Sequence, residues 1–291
     1  MYKFKRQLAI IFLIAFIPSA RAEIKSVKET MDGIVDRLYE NLSEEELFSL
    51  TDEKIQSFIT PEERQSLATQ HVKFEVNVPV VVSVMHHKDQ PVLPFWLKEA
   101  GFEKTDMTVV NDEDWVYEVW QKKFEPGPVN LGINGFDKHR QHYFVTVGAL
   151  NEGDDLEITN LFPSQFSTEW MHEGAFVYHD WDSLLLKEVP RELFGHRLLT
   201  TIRGRAREAH LIGGFRKTRY PSSETPDQIL LTWSDDPKTT QTVQWRTSTQ
   251  IDNGVVQFKK KGDAEYREVE ADTKLIENRL LENDPLCHHY T

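Results

Sequence analysis

The sequence predicts a mainly β protein in which two β-sandwich-like domains follow a short helical segment. From residue 71 onward, apolar side chains alternate with polar ones in short runs separated by turn-forming residues, a pattern typical of strands joined by turns. Apolar side chains at three- and four-residue spacing, which indicate helix, are concentrated before that point. The predicted segments are a signal peptide (1–22), a helical lead segment (23–70), a β-rich domain (71–165), an irregular arginine-rich connector (166–223) and a second, incomplete sandwich (224–291).

The first 22 residues have the composition of a secretory signal peptide. Three positive charges lie between Lys3 and Arg6, an apolar run follows from Leu8 to Ile17, and small residues precede a cleavage site at Ala22. An apolar run of about ten residues is too short to cross a hydrocarbon core of about 30 Å, which favours cleavage over a retained anchor. We expect a mature chain that begins at Glu23, has no membrane span and is secreted or periplasmic.

Charge and cysteine content narrow the class of protein. The formal net charge of −13 argues against a nucleic-acid partner, because proteins of that class usually present a basic surface. Cys287 is the one cysteine, so no intrachain disulfide can form and the domains must be held by their cores.

The lead segment, 23–70, predicts two or three short helices. Ser43 with Glu46, and Thr60 with Glu63, have the spacing of helix-capping pairs. Between Glu23 and Arg64, twelve acidic and five basic side chains give a net charge of −7, which indicates either a docking segment or a solvated outer face. The expected buried stripe is Val27, Met31, Ile34, Val35, Leu38 and Leu42.

The β-rich domain, 71–165, begins with a long alternating run from Val72 to Met85 that predicts one strand or two joined ones. A short helix is expected at Phe95–Ala100, ended by Gly101. Turn residues separate the remaining strand candidates. These candidates are Met107–Val110, Trp115–Trp120, Val129–Ile133, Gln141–Ala149 and Leu156–Leu161.

The connector, 166–223, concentrates positive charge in an acidic protein. Between Arg197 and Tyr220, seven basic side chains accompany a single acidic one, Glu208. This asymmetry suits either the binding of an anion or docking against an acidic surface of the same molecule. We favour docking, because no glycine-rich phosphate loop accompanies the charges.

The last segment, 224–291, opens with the run PDQILLTWSDDPKTTQTVQWRT from Pro226. It predicts two strands, Gln228–Ser234 and Thr240–Thr247, joined by a polar turn, as at the start of many immunoglobulin-like sandwiches. Further strand candidates are Val255–Lys259, Tyr266–Ala271 and Leu275–Leu281. The apolar side chains expected on one buried face of the opening strand pair are Ile229, Leu231, Trp233, Val243 and Trp245.

This run, with the later VVQFKKK and the closing CHHYT, resembles the N-terminal, fibronectin type III-like domain of purple acid phosphatases. The resemblance covers Pro226 to Thr291, and His288-His289 match the paired histidines of a later strand in that family. It implies a further strand pair and then a catalytic domain that hydrolyses phosphoesters at a two-metal centre, iron with a second divalent metal. Neither occurs in these 291 residues. We therefore expect the front part of a longer protein, with its own downstream catalytic domain as partner.

The family's metal-binding motifs do not form a set here. Gly-Asn-His does not occur, and Gly195-His196 lacks the second histidine of Gly-His-x-His. Gly153-Asp154 lacks the tyrosine of Gly-Asp-x-x-Tyr. The letters of that motif do occur from Gly262 to Tyr266, but alone they supply too few ligands for two ions. No catalytic, cofactor-binding or metal-binding residue is therefore assigned.

Local histidine groups have structural explanations. His86 and His87 end a strand, where neighbours point to opposite faces and cannot chelate together, so surface histidines are expected. His139 and His142 would suit a metal on a helix, but the sequence between them indicates a turn.

Two further groups combine metal-binding residue types. One group is His172, Glu173, His179, Asp180 and Asp182; here His172-Glu173 has no further histidine at the spacing that a zinc-binding helix requires. The other group is Cys287, His288 and His289, which are expected to pack within a strand.

Two functions follow from these observations. The first is the exported, non-catalytic N-terminal portion of a purple-acid-phosphatase-like metallophosphoesterase, inactive by itself. The second is a self-contained secreted binding or adhesion protein built from β-sandwich modules. Exposed tryptophans lining a groove would favour the second function, and buried ones would favour a core role: Trp115, Trp120, Trp170 and Trp181.

Overall fold

The computed structural model describes residues 24–139, 141–179, 184–202 and 205–291. Within these ranges the protein is mainly β, as predicted, with several sheets and few helices. The predicted signal peptide lies outside the described residues. Among those that are described, no helix has the length and apolar character needed to span a membrane.

The lead segment folds into four helices: α1 (Val27–Asn41), α2 (Glu44–Phe48), α3 (Asp52–Gln56) and α4 (Pro61–Thr69). The capping pairs predicted at Ser43 and Thr60 are confirmed, because each side chain accepts a hydrogen bond from the backbone three residues on while a glutamate reaches back. The predicted stripe is also confirmed: five of its side chains are buried, and Leu42 packs against them half-buried.

Seven strands form most of a β-sandwich: β1 (Val72–Val76), β2 (Val80–His87), β3 (Glu103–Asn111), β4 (Val116–Phe124), β5 (Gly127–Leu131), β6 (Phe144–Ala149) and β7 (Ile158–Phe162). One sheet has the order β5-β1-β7. Alternate residues of β1, β2 and β6 fill the core between this sheet and a larger one, as their alternating pattern predicts. Helix α5 (Phe95–Glu99) closes the sandwich, and its buried Trp96 donates a hydrogen bond to the Ile133 carbonyl at 2.8 Å.

Three of the strands in the larger sheet come from the predicted connector: β8 (Thr168–Trp170), β9 (Leu186–Glu188) and β10 (Arg197–Leu199). The sheet order is β8-β10-β6-β2-β4-β3-β9. Residues 171–178 and 184–193, between β8 and β10, pack on the sheet face opposite the sandwich core. Strands of three residues are too short to display periodicity, and pairing with longer neighbours gives them their conformation.

The C-terminal module contains β11 (Asp227–Thr232), β12 (Thr242–Ser248), β13 (Val255–Phe258), β14 (Arg267–Glu270), β15 (Thr273–Glu277) and β16 (Leu286–Tyr290). A four-stranded sheet has the order β11-β12-β16-β15, and β13 pairs with β14 alone. Trp245 is buried, as predicted, and stacks on Tyr290 with ring centroids 5.0 Å apart.

The prediction of a buried face on β11 is wrong. Ile229, Leu231 and Trp233 are 61%, 66% and 64% exposed. The alternation correctly indicates a face suited to burial, but the loop before β13 covers only the part of the sheet around Trp245. There Gly254 lies against the rings of Trp245 and Tyr290, so close that a Cβ atom would stand 2.5 Å from each ring.

The C-terminal module is joined to the helical lead by polar contacts. Arg279 contacts the Asp32 carboxylate at 2.6 Å and donates to the Glu208 carbonyl. Lys217, from the arginine-rich segment, contacts Glu44 at 2.5 Å and Glu282 at 3.3 Å. Of the basic residues in that segment, Lys217 thus contacts acidic residues of the same molecule.

Candidate functional site

Two histidine pairs lie close together at one end of the sandwich. Strands β2 and β6 are antiparallel, with Met85 opposite Phe144, so the residues that follow β2 lie beside those that precede β6. His87 ends β2, whereas His139 and His142 belong to the segment before β6. Sheet pairing therefore brings together histidines that are far apart in sequence.

The first pair, His71 and His142, is fully buried. Their Nε2 atoms are 2.7 Å apart, and their rings stack with centroids at 4.9 Å. The Nδ1 atom of His142 lies 2.5 Å from the carbonyl of Tyr143. If His142 Nδ1–H donates to this carbonyl, its Nε2 is the acceptor for His71, which defines one tautomer for the ring.

A chain of hydrogen bonds connects this pair with buried tyrosines. Tyr178 donates its hydroxyl proton to the His142 carbonyl at 2.7 Å, and the hydroxyls of Tyr178 and Tyr117 are 2.8 Å apart. The Tyr117 ring packs edge-on against His87 at 5.5 Å. A buried polar network whose members are all hydrogen-bonded holds its side chains in one arrangement. These contacts therefore stabilise the end of the sheet.

The second pair is His87 and His139. His87 Nδ1 and His139 Nε2 are 3.2 Å apart. Burial is the main cause that lowers the pKa of both imidazoles, and the pKa of His139 is lowered further by His87. Asp89 acts on both rings in the opposite direction, as does Asp137 on His139, but these carboxylates do not reverse the shift. Both rings therefore favour the neutral form.

His86 and His87 are not surface histidines, in contrast to the expectation from sequence. They are 2% and 5% exposed, because both faces of β2 are covered at this end. Their opposite orientation follows the strand alternation: His86 is paired with Glu118 and His87 with Tyr117 on the neighbouring strand. Neither ring nitrogen of His86 has a hydrogen-bond partner, and burial lowers its pKa to about 4.

A cleft of about 270 Å³ adjoins the second pair and separates the helical lead from the sandwich. His139, Asp137 and Gln90 line its sandwich side, and Asp52 and Glu53 line its helical side. Burial raises the pKa of Asp52, and the nearby charges of Glu53 and Asp137 raise it further. The cleft thus combines carboxylates, an imidazole whose pKa is lowered and an apolar floor.

The described members of the His172 group do not form a site. His172 is exposed, with Nδ1 2.7 Å from the Glu173 carbonyl, whereas His179 Nε2 contacts the hydroxyls of Ser167 and Thr200 at 3.1 and 2.8 Å. Asp180 and Asp182 lie outside the described residues. In the parts of the chain that the structure does describe, no three His, Cys, Asp or Glu side chains are grouped to hold a metal.

The C-terminal candidates serve packing or lie on exposed turns. Cys287 and His288 occupy successive positions of β16 and point to opposite faces, and His288 donates to the Ile251 carbonyl at 2.7 Å if Nδ1 carries the proton. Burial raises the pKa of the Cys287 thiol, which makes it a weaker nucleophile and ligand. Asp263 and Tyr266, from the lone Gly-Asp-x-x-Tyr match, are exposed between β13 and β14.

The three tryptophans of this set that the structure describes do not line one groove. Trp120 is buried in the sandwich core, Trp115 packs against His87 on the opposite face of the same sheet, and Trp170 is 56% exposed. Trp181 lies outside the described residues. The Arg197 guanidinium stacks on Trp170 at 4.4 Å, a contact that covers one ring face.

The exposed apolar face of β11 is the other notable surface. A groove of about 320 Å³ runs along it between Ile229 and Val243 on one side and Val255 on the other. Leu231 and Trp233 extend the apolar surface along the strand. A contiguous exposed patch of this kind is typical of a surface that contacts another protein or domain.

Sequence reasoning missed the pairing of His87 with His139, because the two are 52 positions apart. The available signal was topological, since a strand ending in histidine was followed by a second histidine-rich segment just before another strand. Searches of protein-family models, curated proteins and solved structures returned no match to this chain.

Proposed function

We propose that this chain is the exported, non-catalytic N-terminal portion of a purple-acid-phosphatase-like metallophosphoesterase. The observation that carries the proposal is the order of elements in the C-terminal module. A strand, an Asp-Asp-Pro turn and a Val-x-Trp strand are followed later by a strand bearing His288 and His289. The strand that bears His288 and His289 is paired with the Val-x-Trp strand, so that His288 lies opposite Thr247 and Tyr290 lies opposite Trp245.

The exposed apolar face of β11 supports a role in domain packing. Ile229, Leu231 and Trp233 present more than half of their surface to solvent while their alternation suits burial. Burying apolar surface stabilises an association by about 25 cal/mol per Å². The C-terminal module contacts the helical lead through Arg279, while the apolar side chains of β11 remain exposed. The exposed side chains are therefore suited to contact a neighbouring domain.

The chemistry of the whole protein would lie outside this chain. In the family that the module resembles, iron and a second divalent metal activate the nucleophile and stabilise both oxygens of the displacement. The contribution of these residues would be to position the catalytic domain. The purified chain is accordingly expected to be inactive towards phosphate monoesters.

An activity assay tests the non-catalytic part of the proposal. The purified mature chain is incubated with p-nitrophenyl phosphate in the presence of Fe³⁺ and Zn²⁺, with and without a chelator. We expect no turnover above the buffer control. Chelator-sensitive hydrolysis that scales with protein concentration would show that the chain carries its own catalytic centre.

A capture experiment tests the family assignment. Antibodies against residues 226–291 are used to isolate the native protein from its source, and its mass and phosphatase activity are measured. A captured species larger than 34.0 kDa that hydrolyses phosphate monoesters supports the proposal. A species of that mass or smaller without activity would overturn it.

A self-contained binding protein is the second candidate, and the exposed Trp170 is the observation that favours it. Its ring is 56% exposed beside Arg197, an arrangement that suits contact with a sugar or a peptide. Binding to a glycan array that is lost in Trp170→Ala and kept in Trp115→Phe would favour this candidate over the phosphatase assignment.

A further inference from the structure

The spacing of His87 and His139 matches that of two ligands on one metal ion. Their facing nitrogens, Nδ1 of His87 and Nε2 of His139, are 3.2 Å apart. Two nitrogens bound at about 2.0–2.1 Å to a tetrahedral zinc ion stand about 3.3 Å from each other. A shift of about a tenth of an ångström would therefore bring the two nitrogens to that separation.

The ring of His87 is held in place by its neighbours. It lies at the end of β2 between Trp115 and Tyr117, with ring centroids at 5.8 and 5.5 Å. A ligand fixed by its neighbours loses little conformational freedom when an ion binds.

Negative charge near the pair suits a cation. Asp137 is two residues before His139, and Asp89 is two residues after His87. His139 and Asp137 also line the 270 Å³ cleft, which has room for water molecules to complete the coordination of an ion.

We propose that His87 and His139 form a two-histidine site for a divalent transition-metal ion, Zn²⁺ or Cu²⁺, at the cleft between the helical lead and the sandwich. Imidazole nitrogens suit both ions, whereas Mg²⁺ and Ca²⁺ prefer oxygen ligands. The site is separate from the two-metal centre that the family resemblance implies, and it does not depend on the proposed function.

Isothermal titration of the mature chain with ZnCl₂ and with CuCl₂ tests the site. We expect saturable binding of one ion per chain, weakened about tenfold or more in His139→Gln. The matched control is His172→Gln, which removes an exposed histidine outside the cleft and should leave the affinity unchanged. Failure of the wild-type chain to bind saturably, or equal affinity in His139→Gln, would overturn the proposal.

A second variant and a spectroscopic measurement guard against misfolding. His87→Gln should weaken binding to a similar extent, and circular dichroism with thermal melts establishes whether each variant is folded. In the Cu²⁺-loaded wild type, electron paramagnetic resonance should show coupling to imidazole nitrogens that is reduced in His139→Gln. An unchanged nitrogen signal in that variant would place the ion elsewhere.

Discussion

Buried His86 should make the stability of the protein depend on pH between about 4 and 6.5. Its pKa is lowered from the ordinary 6.5 to about 4 by burial, since the ring has no hydrogen-bond partner for its proton. The charge of Glu118 acts in the opposite direction, and those of Lys104, His87 and His139 add to the lowering. Folding therefore favours the neutral ring and opposes its protonation.

The sign and size of the effect follow from linkage. Below pH 6.5 the unfolded chain takes up a proton at this residue while the folded chain does not, so the free energy of unfolding falls as pH falls. The free energy of unfolding continues to fall until the pH reaches about 4, the pKa of His86 in the folded chain. With one pKa unit equal to about 1.4 kcal/mol, this single residue accounts for about 2 kcal/mol between pH 7.5 and pH 5.

Urea unfolding of the wild type and His86→Leu at both pH values measures this contribution. EDTA is included so that no metal occupies the neighbouring His87. Other histidines also have lowered pKa values, so the wild type should lose more than this amount, and the variant should lose about 2 kcal/mol less. An equal loss in the two proteins would refute the assignment of the effect to His86. The leucine should also raise stability at pH 7.5, because it removes two unpartnered polar atoms.

Three further pairs of substitutions test the packing, and each variant is measured by urea unfolding. Trp245→Ala should lower the free energy of unfolding by about 3–5 kcal/mol, because it removes the ring that stacks on Tyr290. Leu231→Thr, on the exposed face, should change the free energy of unfolding by less than about 0.5 kcal/mol. A large loss in Leu231→Thr would show that β11 is covered. Arg246→Met should lower the free energy of unfolding by about 3–5 kcal/mol, because it leaves Asp227 and the buried Asp284 without the guanidinium that they share. Arg267→Met, on exposed β14, is the control. Gly132→Ala should destabilise the protein, since its Cβ would stand 2.3 Å from the Trp96 ring. Gly33→Ala on α1 should stabilise it by about 1 kcal/mol, because a Cβ there would make only an ordinary contact with Glu63 at 3.9 Å. The reverse order would contradict the packing described.

The elements that sequence predicts best are those with local signals. The cap at Thr60, the alternation of β1 and β2 and the turn at Gly101 each depend on neighbouring residues, and the structure contains them. The short strands β8, β9 and β10 have no such signal, because their conformation depends on pairing with a strand distant in sequence.

The candidate site shows the same limit. The alternation of side chains along β2 correctly predicts that His86 and His87 face opposite ways, but it says nothing about what covers either face. His87 meets His139 only because β6 runs antiparallel to β2, and the exposure of both residues is decided by that pairing. The sequence therefore predicts the face of the strand to which a side chain points, whereas its burial and its contacts with distant residues depend on the tertiary fold.

The two faces of the C-terminal sheet differ in a way that bears on its role. On one face, Arg246 joins Asp227 and Asp284, and the loop that contains Asp284 also carries Arg279, which reaches Asp32 of the helical lead. This face is engaged within the chain. On the other, Ile229 and Leu231 remain exposed although their alternation suits a core. The ion pairs hold one face of the sheet to the rest of the chain, whereas the part of the other face that carries Ile229 and Leu231 is left exposed, and an exposed apolar surface of this kind suits packing against another protein or domain.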